Sequence, residues 1–98
     1  MTNQELFALC VEQRGDDCEL CHWNKAVDPH HCIVHKRKGR PEFDEIWNIE
    51  LLCRKCHNDG YCNSYEHRVG FWNRQKARGF QMQEIYDSLE LKSREYFE

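Results

Sequence analysis

Ninety-eight residues are enough for one domain, but a chain this short buries too little apolar surface for its core alone to be an ample source of stability. Seven cysteines offer a second source, while a net charge of -3 excludes a uniformly basic nucleic-acid binder. No apolar run approaches the roughly 20 residues of a membrane span and no leader-like stretch precedes the first cysteine, so a soluble, cytoplasmic protein without a membrane partner is expected, its thiols reduced and free to bind metal.

The average charge hides a segregation. Between Trp23 and Arg40 the bases Lys25, Lys36, Arg37, Lys38 and Arg40 face the single acid Asp28, and over residues 61–80 Arg68, Arg74, Lys76 and Arg78 face Glu66. Both ends are acidic. A locally basic surface on a mildly acidic protein still attracts phosphate, because screening confines the relevant field to about 10 Å in 0.1 M salt.

In chain order, Thr2 and Glu5 have capping-box spacing, and Leu6, Leu9, Cys10 and Gln13 recur at helical spacing until Gly15, which predicts an amphipathic helix over residues 3–14. Residues 16–27 read as turns carrying the first cysteine pair. A short strand is expected over 31–35, a polar loop over 36–45, and a second strand over 46–53. A helix beginning at Arg54 should end at Gly60. Asn63 with Glu66 marks the start of another helix that runs to Gly79, and a last one is expected over 81–91. The chain divides as one domain over 1–98: an N-terminal helix (1–15), a core (16–60) and C-terminal helices (61–98).

Two C-x-x-C pairs, Cys18/Cys21 and Cys53/Cys56, supply the four thiolates of a structural zinc site, since a two-residue gap lets the chain turn both sulfurs toward one ion. Replacement of one thiol by a histidine is the rival arrangement. Cys10, Cys32 and Cys62 lack such spacing and read as core or surface thiols. Cys56 and His57 share a helix, so zinc would fix that histidine as well.

The runs Asp28-Pro29-His30-His31-Cys32-Ile33-Val34-His35 and Asn48-Ile49-Glu50-Leu51-Leu52-Cys53-Arg54-Lys55-Cys56-His57 resemble the HNH endonuclease motif in its form with cysteine pairs, as in the small stand-alone HNH proteins of phages and bacteria. The resemblance covers about Cys18 to His67. It implies an α+β fold with a zinc-stabilised ββα-metal core (His-Me finger, treble-clef-like), flanked by helices. It further implies a metal-dependent DNA endonuclease: His31 the general base, Asn48 orienting that histidine's strand, and His30 and His57 ligands of one catalytic divalent ion (Mg²⁺, Mn²⁺ or Ni²⁺). Phosphodiester hydrolysis needs those residue types in any case, because histidine titrates nearest neutrality and a cation must neutralise charge on the phosphate. His22, His35 and His67 read as surface or satisfied core histidines.

Lys36, Arg37, Lys38 and Arg40, with Arg54 and Lys55 as weaker candidates, would contact phosphates of DNA without reading its sequence. The alternative is a non-catalytic zinc module that binds DNA or a protein partner, for example within a larger phage or bacterial machine for DNA packaging.

Overall fold

Every residue of strand β2 (Ile49–Leu52) is buried, and the other elements are arranged about it. In the computed structural model, which describes residues 1–92 and 94–97, β2 pairs antiparallel with β1 (Asp28–His31), with Asp28 opposite Leu52 and His31 opposite Ile49. Ser93 and Glu98, the last part of the expected C-terminal region 61–98, lie outside the described residues. Alternation along β2 sends Ile49 and Leu51 into a cluster with Leu6, Cys10 and Ala26, whereas Leu52 packs with Cys18, Cys53 and Cys62. Glu50, between them, faces His67 and Arg74.

The first cluster depends on α1 (Asn3–Arg14), whose capping box is complete: Thr2 accepts from the Glu5 amide and the Glu5 side chain accepts from the Thr2 amide. Leu6 is fully buried there, so its truncation to alanine should cost about 2–5 kcal/mol. Arg14 closes the helix onto the sheet, its guanidinium donating to the Ile49 and Ile46 carbonyls at 2.6 and 3.0 Å and to Glu19 at 3.2 Å.

After β2 come α2 (Arg54–Asp59), α3 (Tyr65–Ala77) and α4 (Met82–Ser88). The largest core cluster joins Phe71 and Trp72 of α3 and Met82 and Tyr86 of α4 to Ile33, Phe43, Trp47 and Phe97. Gln75 is fully buried and donates to the Ile46 and Trp47 carbonyls at 3.1 and 2.8 Å, which ties α3 to the segment entering β2. Among the described residues the architecture is thus α+β, with four α-helices and one two-stranded antiparallel sheet, and no helix is long and apolar enough to cross a membrane.

Several expected boundaries move. The first strand spans 28–31 rather than 31–35, and the second is 49–52 rather than 46–53, with Ile46–Asn48 forming a 3-10 turn. The cause is Asn48, which bonds the backbone beyond His31 with its side chain and replaces the ladder there. Asn63 belongs to a 3-10 turn, and the cap of α3 is Ser64, whose hydroxyl accepts from the His67 amide at 3.1 Å. The last helix ends at Ser88, three residues early.

Candidate functional site

The four paired cysteines come together from two knuckles. The first is the turn Cys18–Cys21, closed by bonds from the Cys18 amide to the Asn24 carbonyl (2.9 Å) and from the His22 amide to the Cys18 carbonyl (3.0 Å). His22 takes a left-handed φ of 61° to complete it. The second is the start of α2, where Cys53 is the N-cap. All four sulfurs lie within 4.8 Å of one another, and Cys21 and Cys53 are 3.9 Å apart. A tetrahedral ion with bonds of about 2.3 Å sets its sulfurs about 3.8 Å apart, so the quartet is compatible with a structural zinc site.

Its electrostatics agree with that use. The Cys56 amide, 3.5 Å from the Cys53 sulfur, and the Asn24 amide at 3.6 Å hold the Cys53 thiol down to about 6, while burial and the neighbouring thiols push the Cys56 thiol up. The Cys53 thiol ionises readily, whereas the Cys56 thiol needs a cation to follow. Cys10 and Cys32 are buried elsewhere and Cys62 packs beside Cys18 and Cys53, all three as core thiols.

The histidines of the two motif segments also converge. His30, His31 and His57 open onto one cavity of about 280 Å³, completed by Pro29, His35, Lys36 and Asn63. The His30 and His57 ring centroids are 5.1 Å apart, edge to face. Each of two rings has one nitrogen tethered by a carboxylate. His57 Nδ1 lies 3.0 Å from Asp28 Oδ2, and His31 Nε2 lies 2.8 Å from Asp44 Oδ1. A bidentate bond from Arg54 (2.9 and 3.0 Å) holds the Asp28 carboxyl below its usual range. Burial works against ionisation of Asp44, but its bonds to His31 and Lys36 prevail and lower it.

Both carboxylates are therefore acceptors, and the tethered nitrogens must be the donors. That leaves the lone pairs on His57 Nε2 and His31 Nδ1 free. Burial lowers the pKa of His31, against the pull of Asp44, so the ring is neutral near pH 7. His30 is only 5% exposed, burial pushes its pKa down to about 4, and its Nε2 is buried without a hydrogen-bond partner. An orphaned buried nitrogen on a ring that lies 5.1 Å from a second imidazole suits a cation.

His30 also groups with Cys32 and Glu50, their ligand atoms lying within 4.8 Å. This group is not a second ion site. The Glu50 carboxylate is taken by His67 at 2.7 and 2.9 Å and by Arg74 at 2.7 Å, and burial drives the Cys32 thiol up, away from the thiolate a metal requires.

Asn48 is fully buried and bonds the backbone on the exit side of His31: its Oδ1 accepts from the Ile33 and Val34 amides at 2.8 and 2.9 Å, and its Nδ2 donates to the Val34 and Phe43 carbonyls at 2.7 and 2.9 Å. The cations expected at DNA divide into two sets. Arg37 and Lys38 are exposed, and so is Lys36 although it reaches Asp44 at 3.3 Å. Arg40 instead turns inward, paired with Glu42, donating to the Leu89 carbonyl at 2.9 Å and lying 4.5 Å over the Phe43 ring. Arg54 is two-thirds exposed yet committed to Asp28, and Lys55 is exposed.

Sequence reasoning missed His35 as part of the cavity lining, and Asp28 and Asp44 as the carboxylates that orient its histidines. Asp28 could have been found, because it stands two residues before His30 on the same face of a strand. Asp44 carried no local signal. His67, by contrast, is the satisfied core histidine expected, and His22 is exposed. No family model matches the chain, and neither a curated protein nor a solved structure matches it at a significant level.

Proposed function

We propose that this protein is a metal-dependent DNA endonuclease of the HNH type, with a ββα-metal core. One observation carries the reading: three histidines from a strand and a helix meet in one cavity, each with one ring nitrogen free and two of them oriented by carboxylates. His31 Nδ1 takes a proton from the attacking water, and Asp44, on Nε2, stabilises the imidazolium that forms. Asp28 orients His57 so that its Nε2 would be free to hold a cation, and Asn48 fixes the backbone that follows the base. A divalent ion bound by His30 and His57 would supply charge neutralisation at the scissile phosphate and at the leaving oxygen. Lys36, Arg37 and Lys38, in the loop that leaves His31, position the phosphate backbone without reading sequence. Arg40 and Arg54 serve the scaffold first, through Phe43 and Asp28.

The experiment is nicking of supercoiled plasmid by the zinc-loaded protein, with Mg²⁺, Mn²⁺ or Ni²⁺ added, beside His31→Ala. Metal-dependent nicking that the variant lacks supports the reading. Absence of nicking with every ion sinks it. The exposed Lys36, Arg37 and Lys38 on a cysteine-held scaffold would then favour a non-catalytic zinc module that binds DNA.

A further inference from the structure

Cys32, Ile33 and Val34 follow His31 and present six backbone hydrogen-bonding groups, all of them satisfied by two residues. Asn48 takes four: its backbone carbonyl accepts from the Cys32 amide at 2.8 Å, its Oδ1 accepts from the Ile33 and Val34 amides, and its Nδ2 donates to the Val34 carbonyl. The remaining two, the Cys32 and Ile33 carbonyls, accept from Arg68 Nε at 3.1 Å and Nη2 at 2.7 Å. The sheet cannot reach these carbonyls, because pairing stops at His31.

Arg68 is itself held from the far side. Its Nη1 donates to both oxygens of Glu95 at 2.7 and 2.9 Å, and its guanidinium lies 5.1 Å over the Phe97 ring. Phe97 stacks on Trp72 at 4.8 Å and meets Tyr86 edge-on at 5.6 Å. The C-terminal segment is thereby wired to the strand that carries His31.

We propose that Arg68 is a positioning residue for His31, the counterpart of Asn48 on the carbonyl side, and that Glu95 and Phe97 set how firmly it holds. The inference rests on His31 being the base of a nuclease. Bonds from a guanidinium are charge-assisted and fork-shaped, so one side chain fixes two successive carbonyls in a single orientation, which the neutral Asn48 amide could not also reach. Without that fork the turn can rotate while the core stays packed. His31 is tethered to Asp44 beyond the turn, and a base displaced by about 1 Å can lose on the order of 100-fold in rate.

The test compares the parent with Arg68→Ala, Arg68→Lys and Phe97→Ala in plasmid nicking and in amide hydrogen exchange. Expected for Arg68→Ala are retained zinc, unchanged DNA affinity and KM, a kcat lowered by about 10- to 100-fold, and faster exchange at the Ile33 and Val34 amides. Arg68→Lys recovers part of kcat, and Phe97→Ala shows the same changes to a smaller extent. An arginine that merely supports the fold would lower the thermal midpoint and leave both the kcat of folded protein and those two amides at parental values, and that result overturns the proposal. Should the parent fail to nick, the nuclease reading falls by itself. The grip is then judged by exchange alone, unchanged Ile33 and Val34 amides in Arg68→Ala overturning it.

Discussion

The sulfur quartet and the imidazole cavity are both built from one β-hairpin flank and the start of α2, yet they are finished differently. In the quartet four like ligands from two local turns lie within 4.8 Å of one another, the number that a closed tetrahedral ion takes. In the cavity three histidines each keep one nitrogen free, and in two of them the other nitrogen is tethered by a carboxylate distant in sequence: Asp28 for His57, Asp44 for His31. A closed set of ligands yields stability, because every donor is spent on the ion. An open set keeps donors and lone pairs for a substrate. The same short stretch, Cys53 to His57, contributes to both, so a metal held by the quartet would hold the cavity in place as well.

Loss of a metal from the quartet should have the largest effect. Chelation of zinc, or Cys53→Ser, should abolish the cooperative fold and with it any activity, read by circular dichroism and by zinc content. Folded and active protein without zinc would show that the three apolar clusters suffice by themselves.

His31→Ala should separate the two sites cleanly. Zinc, fold and DNA affinity stay, and cleavage falls by about 10²- to 10⁴-fold, the usual worth of a positioned base. His57→Ala should fail through weak binding of the added ion, so raising Mn²⁺ or Ni²⁺ recovers rate there and not in His31→Ala. Parental cleavage by His31→Ala would remove the base from the scheme.

Asp28→Asn sharpens the same contrast. An amide can still accept from His57 Nδ1 but carries no charge and pairs poorly with Arg54, so affinity for the catalytic ion should drop by about 10- to 100-fold while zinc stays bound. Titration of Mn²⁺ against initial rate measures it. An unaltered titration would mean that Asp28 only braces Arg54.

Acid should destabilise the fold through the histidine side. The folded-state pKa of His30, about 4, lies below the ordinary 6.5, so between those values the unfolded chain binds the extra proton. Stability therefore rises with pH through this window, is fully present above it, and is lost as pH falls toward 4. Urea midpoints from pH 7 to 4.5, with zinc retention followed in parallel, should show the slope, and His30→Asn should flatten it.

The smallest expected effect concerns the loop after the hairpin. Lys36, Arg37 and Lys38 changed together to alanine should weaken DNA binding and flatten its dependence on salt, because fewer counterions are released, with zinc content unchanged. Adding Arg40→Ala should instead lower the melting temperature, since that guanidinium covers Phe43 and bonds the Leu89 carbonyl.

Features that depend on neighbours a few residues apart could be read from the chain alone. The capping box of Thr2 and Glu5, the two cysteine knuckles, and the helix that sets His57 beside Cys56 are local turns whose geometry follows from spacing, and all were legible. The meeting of His30 and His31 with His57 was legible only through the resemblance of two motif segments. Tertiary structure decided the rest. Which nitrogen of each ring is free depends on Asp28 and Asp44, and the inward turn of Arg40 depends on Phe43 and on Leu89. The carbonyls beyond His31 find Arg68, 36 and 35 residues away in the chain. These are hydrogen bonds between partners that only the path of the folded backbone brings together, and no periodicity or spacing encodes that path. The shortened strands have the same origin, because a fully buried Asn48 outcompetes the ladder where an apolar residue would have let the strands continue.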